Sequence, residues 1–415
     1  MTTAPPTIDV ASVRKDFPVL DQVQNERRLV FLDSAASSQH PRQVLQAMNE
    51  IYEASYANVH RGVYQLAERA TNAYEGARSK VAQFINAPSS SEVIFTKNAT
   101  EGINLVAGAW GRQNLNAGDA IVLTMMEHHA NIVPWQMLAA ERELEIRWIP
   151  VTDDGYLDLS DIDRLLDGAS VLAFTAMSNV LGTITPVAEL TAMARERGIV
   201  TVVDACQWVP HLPTDVQEMG ADFVAFSGHK MLGPSGIGVL WGRAELLDAM
   251  PPFLGGGGMI LNVTTDGFLA DAIPAKFEAG TPPIVEAVGL GAAVDYLNDL
   301  GMEAVRRHEV ELTAYALRTL TERVGEQLVI HGPSEPAARG GVFSIALQDV
   351  HAHDVSQVLD THAVCIRPGH HCAKPLMKHL GVQATARASV YVYNDADDID
   401  ALADALIEAK DFFAL

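Results

Sequence analysis

A lysine that closes an apolar strand can do covalent chemistry, and the sequence has one. Ser227-Gly228-His229-Lys230 follows the apolar run Phe223 to Phe226 and precedes the turn Gly233-Pro234-Ser235-Gly236. In open α/β sheets, ligands sit outside the carboxyl ends of the strands. An amine partly desolvated there can lose its proton near neutral pH and form a Schiff base. Ser227 and His229 add a hydroxyl and an imidazole suited to a phosphate close by. A lone lysine in such a loop is more often a surface residue, so a second signal is needed. Asp204 supplies it, ending the Val-rich run Thr201 to Asp204. A carboxylate there is costly unless paired. A protonated pyridine nitrogen would pair it and keep the ring electron-poor, and Gln207 could donate to a ring oxygen. A helix N-cap is the competing reading of Asp204. An acid at one strand end and an amine at the next favour a pyridoxal phosphate site over both ordinary readings.

Three further strand ends carry polar groups of fitting types. Thr100, in Thr96-Lys97-Asn98-Ala99-Thr100-Glu101, opens a helix after the strand ending at Phe95, where free N–H groups and the helix dipole favour an anion. Thr100 with Glu101 is also an ordinary helix cap, and the two readings are compatible. His128, in Met126-Glu127-His128-His129-Ala130-Asn131, could stack on a planar ring and shuttle a proton. A structural role is the usual explanation for one histidine, less so for an adjacent pair at a strand end. Asn179, in Ser178-Asn179-Val180-Leu181-Gly182, follows the strand Val171 to Thr175 in the same way.

The C-terminal part offers a nucleophile. In Arg367-Pro368-Gly369-His370-His371-Cys372-Ala373 a cysteine sits in a flexible, cationic setting of the kind that lowers a thiol pKa. Cys206 and Cys365 read as buried small hydrophobes. A His-His-Cys zinc site competes for the loop, but a fourth ligand is not apparent, so no metal is expected. Further on, Arg387 could hold a carboxylate through two parallel hydrogen bonds, with a surface arginine as the alternative.

The elements that must position these groups alternate between short apolar runs and amphipathic stretches, the pattern of an α/β domain with a mostly parallel sheet. Strands are expected at Glu92 to Thr96, Ala120 to Thr124, Ser170 to Thr175, Ile199 to Asp204 and Phe223 to Ser227. Helices are expected at Gly102 to Trp110, Trp135 to Glu143 and Val187 to Arg197, with Gly198 as a stop. The texture changes near Asn298: a long helix over Gly301 to Arg323, a strand at Val342 to Leu347 and a closing helix at Ile399 to Phe412. The expected division is a large domain over 21–297 and a smaller α+β domain over 298–415, with residues 1–20 packing on the latter. The Gly255 to Gly258 run marks a mobile loop.

Composition limits the partners. The 415 residues carry 29 Lys+Arg against 52 Asp+Glu, a net charge of −23, which argues against a general nucleic-acid binder or a protein adhering to anionic membranes. Apolar residues make up 48% of the chain, which excludes wholesale disorder. Three cysteines without a CxxC pair suit a reducing compartment. The charged N-terminus leaves no room for a signal peptide, and no apolar run is long enough to span a membrane. A cytoplasmic location is the expectation.

Taken in order, these segments resemble the group II, SufS-like cysteine desulfurases of the class V aminotransferase family. The resemblance begins at Asp16-Phe17-Pro18-Val19-Leu20 and Leu32-Asp33-Ser34-Ala35-Ala36, and passes through Val59-His60-Arg61-Gly62 and the motifs above. It includes Phe277-Glu278-Ala279-Gly280-Thr281-Pro282 and ends in the short Gly369-His370-His371-Cys372 loop, unlike the longer serine-rich loop of the IscS/NifS group. It implies a fold-type I transferase dependent on pyridoxal 5'-phosphate, with a mostly parallel central sheet, helices on both faces and a smaller C-terminal α+β domain. The implied reaction converts L-cysteine to L-alanine and leaves sulfur as a persulfide on Cys372, for a SufE- or SufU-type acceptor and iron–sulfur cluster assembly. The resemblance further implies Lys230 as Schiff-base amine and acid/base, and Asp204, Gln207 and His128 around the ring. Thr100, Ser227 and His229 would hold the phosphate, Thr281 would reach the phosphate of the other subunit of a homodimer, and Asn179 and Arg387 would bind the substrate carboxylate. Pro283 and Pro368 depart from the family pattern, and Pro368 should stiffen the cysteine loop. A selenocysteine lyase of the same fold and a catalytically silent sulfur-transfer scaffold are the alternative readings.

Overall fold

The structure, a computed structural model, describes residues 8–413. Among them the central sheet has seven strands: β1 Val93–Thr96, β2 Ala120–Thr124, β3 Glu145–Ile149, β4 Ala169–Thr175, β5 Val200–Asp204, β6 Phe223–Ser227 and β7 Gly238–Gly242. Their order across the sheet is β1-β7-β6-β5-β4-β2-β3. The run from β6 to β3 is parallel, and β7 pairs antiparallel with both β1 and β6. A parallel sheet is stable only with both faces covered. Alternation along the strands shows how this one manages it. Leu172, Phe174, Val203, Val224 and Phe226 point into one core, whereas Val171, Ala173, Val202, Phe223 and Ala225 point into the other.

The first core is covered by α1 Gln65–Phe84, α4 Val187–Glu196 and α5 Ile284–Leu300; the second by α2 Ala99–Leu105 and α3 Val133–Arg142. α2 is brought hard against the sheet because β7 begins with glycine: a Cβ on Gly238 would lie 2.5 Å from Asn98 Cα. That contact holds the start of α2 beside the end of β6.

A third core lies in the C-terminal part. Here α6 Met302–Val324, α7 Ala352–Thr361 and α9 Ala396–Phe413 pack with the antiparallel sheet β8-β9-β11-β10, whose strands are β8 Leu328–His331, β9 Val342–Leu347, β10 Arg367–Gly369 and β11 Thr385–Ser389. Pro368 falls in β10, an edge strand, where a missing N–H is tolerated. Val30–Phe31 joins this region through a parallel pairing with Val364–Cys365. The N-terminal segment lies along the seam: Phe17 is fully buried, with its ring 4.9 Å from Tyr393 and 6.0 Å from Tyr296. Residues 1–7 of the segment expected to pack on the C-terminal domain lie outside the described residues. The short helix α8 Lys374–His379 buries Leu376 and Met377 in the first core, which draws the chain after β10 back toward the large sheet. No helix among the described residues is long and apolar enough to cross a membrane.

Candidate active site

All the parallel strands end on one side, and the small sheet faces that edge. Between them lies a cavity of about 270 Å³ lined by Thr100, His128, Asn179, Asp204, Ser227, His229, Lys230, Cys372 and Arg387, together with Ala35, Arg367 and His371. Nine residues singled out in the sequence thus meet in one place. Two do not line this cavity. Gln207 is buried just behind it, with Nε2 donating to Ala35 O at 2.7 Å and Oε1 left without a partner. Thr281 lines a separate cavity with Arg61, Arg78 and Glu278.

Lys230 ends a tight turn, Gly228–Lys230, directly after β6. The turn is pinned from the N-terminal segment: Ser38 N–H and Ser38 Oγ both donate to the His229 carbonyl, and Leu232 N–H donates to Ser38 Oγ at 2.8 Å. Burial, then the neighbouring Lys230 charge, push His229 down to about 4, so its ring is neutral at pH 7. Asp204, 4% exposed, accepts one hydrogen bond from Cys206 N–H at 3.0 Å. Ser227 Oγ accepts the Ala99 N–H at 2.9 Å and so ties the end of β6 to the start of α2. The N-cap there is Asn98, which accepts from Glu101 N–H, and not Thr100. Thr100 is left facing the cavity.

His128 is also held neutral: burial and then Lys230 push it to about 4, and its Nδ1 accepts the Ala130 N–H at 3.0 Å. Beneath it is a carboxyl that the sequence reading passed over. Glu127 is fully buried and accepts from Thr124 Oγ1 at 2.5 Å, Asn131 Nδ2 at 2.7 Å and Thr175 N–H at 2.9 Å. Burial raises it to about 8 against those three bonds. Its signal in the sequence is an acid next to His128, inside an otherwise apolar surrounding.

On the other wall, Arg387 is 2% exposed in β11. Its Nη1 donates to Asn179 O at 2.9 Å, Nη2 lies 3.3 Å from Asp33 Oδ1, and Nε has no partner. Asp33, likewise unassigned from sequence, also takes the fork of Arg367, with Nη2 at 2.8 Å. The Asn179 side chain is committed to the cysteine loop, Nδ2 donating to His371 O at 2.8 Å.

The sulfur of the loop is accessible: Cys372 is exposed, Cys365 partly buried and Cys206 buried. His371 and Cys372 have φ of 50° and 55°. Two successive non-glycine residues in the left-handed region cost on the order of 1–3 kcal/mol each, so surrounding contacts must hold the turn. The sequence makes His370, His371 and Arg367 a cationic setting for the thiol; the structure corrects this for His371, while Arg367 stays charged and feels the Cys372 sulfur. Burial, and then Arg387, push His371 down to about 3, and its Nε2 lies 2.9 Å from Thr385 Oγ1. Arg367 shares its charge with Asp33.

A buried acid, an amine with no bond to another described residue and a buried, part-satisfied arginine meet around one crevice at the strand ends of an α/β enzyme. The chain belongs to the class-V aminotransferase family, whose pattern matches residues 30–402. Over 419 aligned positions it is 53% identical to a protein of Streptomyces coelicolor named probable cysteine desulfurase, with all of both chains covered. Among solved structures it is similar to an apo cysteine desulfurase from Thermococcus onnurineus (TM-score 0.92, 40% identity, 98% of this chain and 99% of that one). It is also similar to the cysteine desulfurase CsdA of Escherichia coli (TM-score 0.88, 37% identity, 98% and 100%). The architecture is that of a fold-type I pyridoxal phosphate enzyme.

Proposed function

We infer that the chain is a pyridoxal-phosphate-dependent cysteine desulfurase that converts L-cysteine to L-alanine and retains the sulfur as a persulfide on Cys372. The observation that carries this reading is the exposed Cys372 on the rim of the same cavity that holds Lys230, Asp204 and Arg387.

The residues fit the cofactor. Asp204 is a buried carboxylate with one oxygen bonded to a backbone N–H, as a partner for a pyridinium nitrogen requires. Gln207 does not fit its expected role as it stands, since it lies behind the cavity with Nε2 donating to Ala35 O. Ser227, His229 and Thr100 are polar lining residues suited to the phosphate, and Lys230 lines the same cavity. When bound, the cofactor supplies an electron sink for removal of the substrate α-proton. Lys230 Nζ then serves as the base at Cα and returns protons as alanine forms. The neutral His128 ring would lie against the cofactor ring. Arg387 takes the substrate carboxylate, its unpartnered Nε giving one of the two parallel bonds. Cys372 as thiolate attacks the substrate sulfur, the C–S bond breaks, and a new S–S bond forms on the enzyme. The sum is cysteine plus enzyme thiol to alanine plus enzyme persulfide, with no outside oxidant or reductant.

A SufE- or SufU-type acceptor would take this sulfur for iron–sulfur cluster assembly in the cytoplasm, and Thr281 would complete the neighbouring site in a homodimer. The exposure of Cys372 supports the hand-over, and the distance of Thr281 from its own chain's cavity supports the sharing. The test is Cys372→Ala in the holoenzyme. It should keep the visible cofactor band and lose sulfide and alanine production from L-cysteine; full desulfuration in that variant would remove the nucleophile from the scheme.

A further inference from the structure

Resting on that reading, we propose that His129 is a positioning residue: it clamps the cysteine loop across the seam between the two sheets and so sets where the Cys372 sulfur stands. His129 follows His128 in the turn after β2; its carbonyl accepts the Ile132 N–H of that turn, but its own N–H and its ring bond to the loop. Its backbone N–H donates to Cys372 O at 2.7 Å. Its ring Nε2 accepts the Lys374 N–H at 3.1 Å, and its ring centroid lies 5.6 Å from that of His370.

The two contacts grip the chain on either side of Ala373. Lys374 is the first residue of α8, and an N–H at that position has no partner within its own helix. The imidazole therefore acts as a cap supplied from a distant segment. Other polar atoms of the turn are held as well: His371 O by Asn179, His371 Nε2 by Thr385, Cys372 N–H by His370 Nδ1 at 3.1 Å, and Ala373 N–H by His370 O at 2.9 Å. Of these restraints, Asn179 and His129 alone come from the large sheet. Without them the left-handed turn at His371 and Cys372 keeps its internal bonds and the His371 contact with Thr385 of the small sheet, but loses its hydrogen bonds to the large-sheet side. Accepting at Nε2 places the His129 proton on Nδ1, which fixes the tautomer.

The experiment compares His129→Ala and His129→Gln with the parent holoenzyme; the Gln amide oxygen can take over the acceptor position of Nε2. The readouts are iodoacetamide alkylation of Cys372, the split between kcat and KM for L-cysteine, and the cofactor band. His129→Ala should speed Cys372 alkylation on the order of fivefold, the equivalent of one net hydrogen bond lost from the closed loop. It should lower kcat roughly tenfold to a hundredfold, the effect of a misplaced reacting atom. KM and the cofactor band should stay at parent values, and His129→Gln should recover most of both losses. Parent-like alkylation and kcat in His129→Ala overturn the clamp. So does a loss shared by kcat, KM and thermal stability that Gln does not restore, because that would be general misfolding. Retained desulfuration in Cys372→Ala would instead overturn the reading of the nucleophile, which keeps the two failures apart.

Discussion

Arg387 Nη2 lies 3.3 Å from Asp33 Oδ1, although the two residues belong to opposite ends of the chain. Asp33 also accepts the fork of Arg367, so one carboxylate holds two guanidinium groups side by side at the cavity wall. Burial lowers Arg387 to about 10 while Asp33 opposes the change, and the group stays charged at pH 7. The carboxylate leaves Nε of Arg387 buried and without an acceptor. A substrate carboxylate would fill that deficit, with the guanidinium plane already set.

Arg387→Lys should therefore raise KM for L-cysteine on the order of a hundredfold, because an ammonium cannot reproduce a fixed two-bond fork. Asp33→Ala should raise KM by roughly tenfold, through lost orientation of the fork, the share of one or two net hydrogen bonds. Steady-state kinetics separates the cases. Equal KM in the Lys variant and the parent would remove Arg387 from substrate binding.

Asp204→Asn tests the opposite wall. The amide keeps the size of the carboxylate, but it removes the negative charge that would face the ring nitrogen of the cofactor. kcat should fall on the order of a hundredfold or more, the usual effect of removing one preorganised charge. The cofactor band should shift while binding of the cofactor persists through Lys230. Unchanged kcat would return Asp204 to the helix-cap reading.

Phe17→Ala tests the seam. The ring is fully buried between Tyr296 of α5 and Tyr393 just beyond β11. Its removal should cost about 3–5 kcal/mol by chemical denaturation, as for other buried aromatic truncations. A loss below 1 kcal/mol would mean that the segment carries little of the packing between the two parts.

Much of this fold is legible because apolar runs bounded by polar residues report buried strands. Ala120–Thr124, Phe223–Ser227 and Val342–Leu347 appear with the expected bounds. β3 is less visible because Glu145 and Arg147 interrupt it at the sheet edge. α5 escapes for a different reason: it is buried nearly all round and shows no amphipathic stripe. Its Gly289 and Gly291 let Met48 and Ala77 approach, with a Cβ there lying 2.8 Å and 3.0 Å from those residues. α2 begins at Ala99 and not at Gly102, since Gly102 is interior and packs on Leu240. At the candidate site, residues at strand ends announce themselves by type. Asp33, Glu127 and His129 do not, because what they do depends on partners that only the folded chain brings near.

The last prediction concerns acid stability. Glu309 on α6 is buried and meets His211 from the large-sheet side, with His211 Nδ1 3.1 Å from Glu309 Oε1. It also meets Arg306 Nη1 at 3.1 Å and accepts the Gly341 N–H at 2.7 Å. Burial pushes this carboxyl upward, but His211, Arg306 and the Gly341 N–H outweigh it, and the net shift is downward from 4.5. A carboxyl whose pKa is depressed in the folded state adds stability above its unfolded pKa. That stability is lost as pH falls through the folded value, since there the unfolded chain binds the extra proton. The parent should therefore lose this contribution on going below about pH 4.5. Glu309→Gln should be less stable at pH 7 by about 3–5 kcal/mol, the effect of removing one partner from a buried ion pair with Arg306. Its stability should fall less steeply in acid, because the group that titrates is gone. Denaturant unfolding of both proteins from pH 7 down to pH 4 makes the comparison. Parallel curves would show that the His211–Glu309 link contributes nothing to the pH dependence, whatever its geometry.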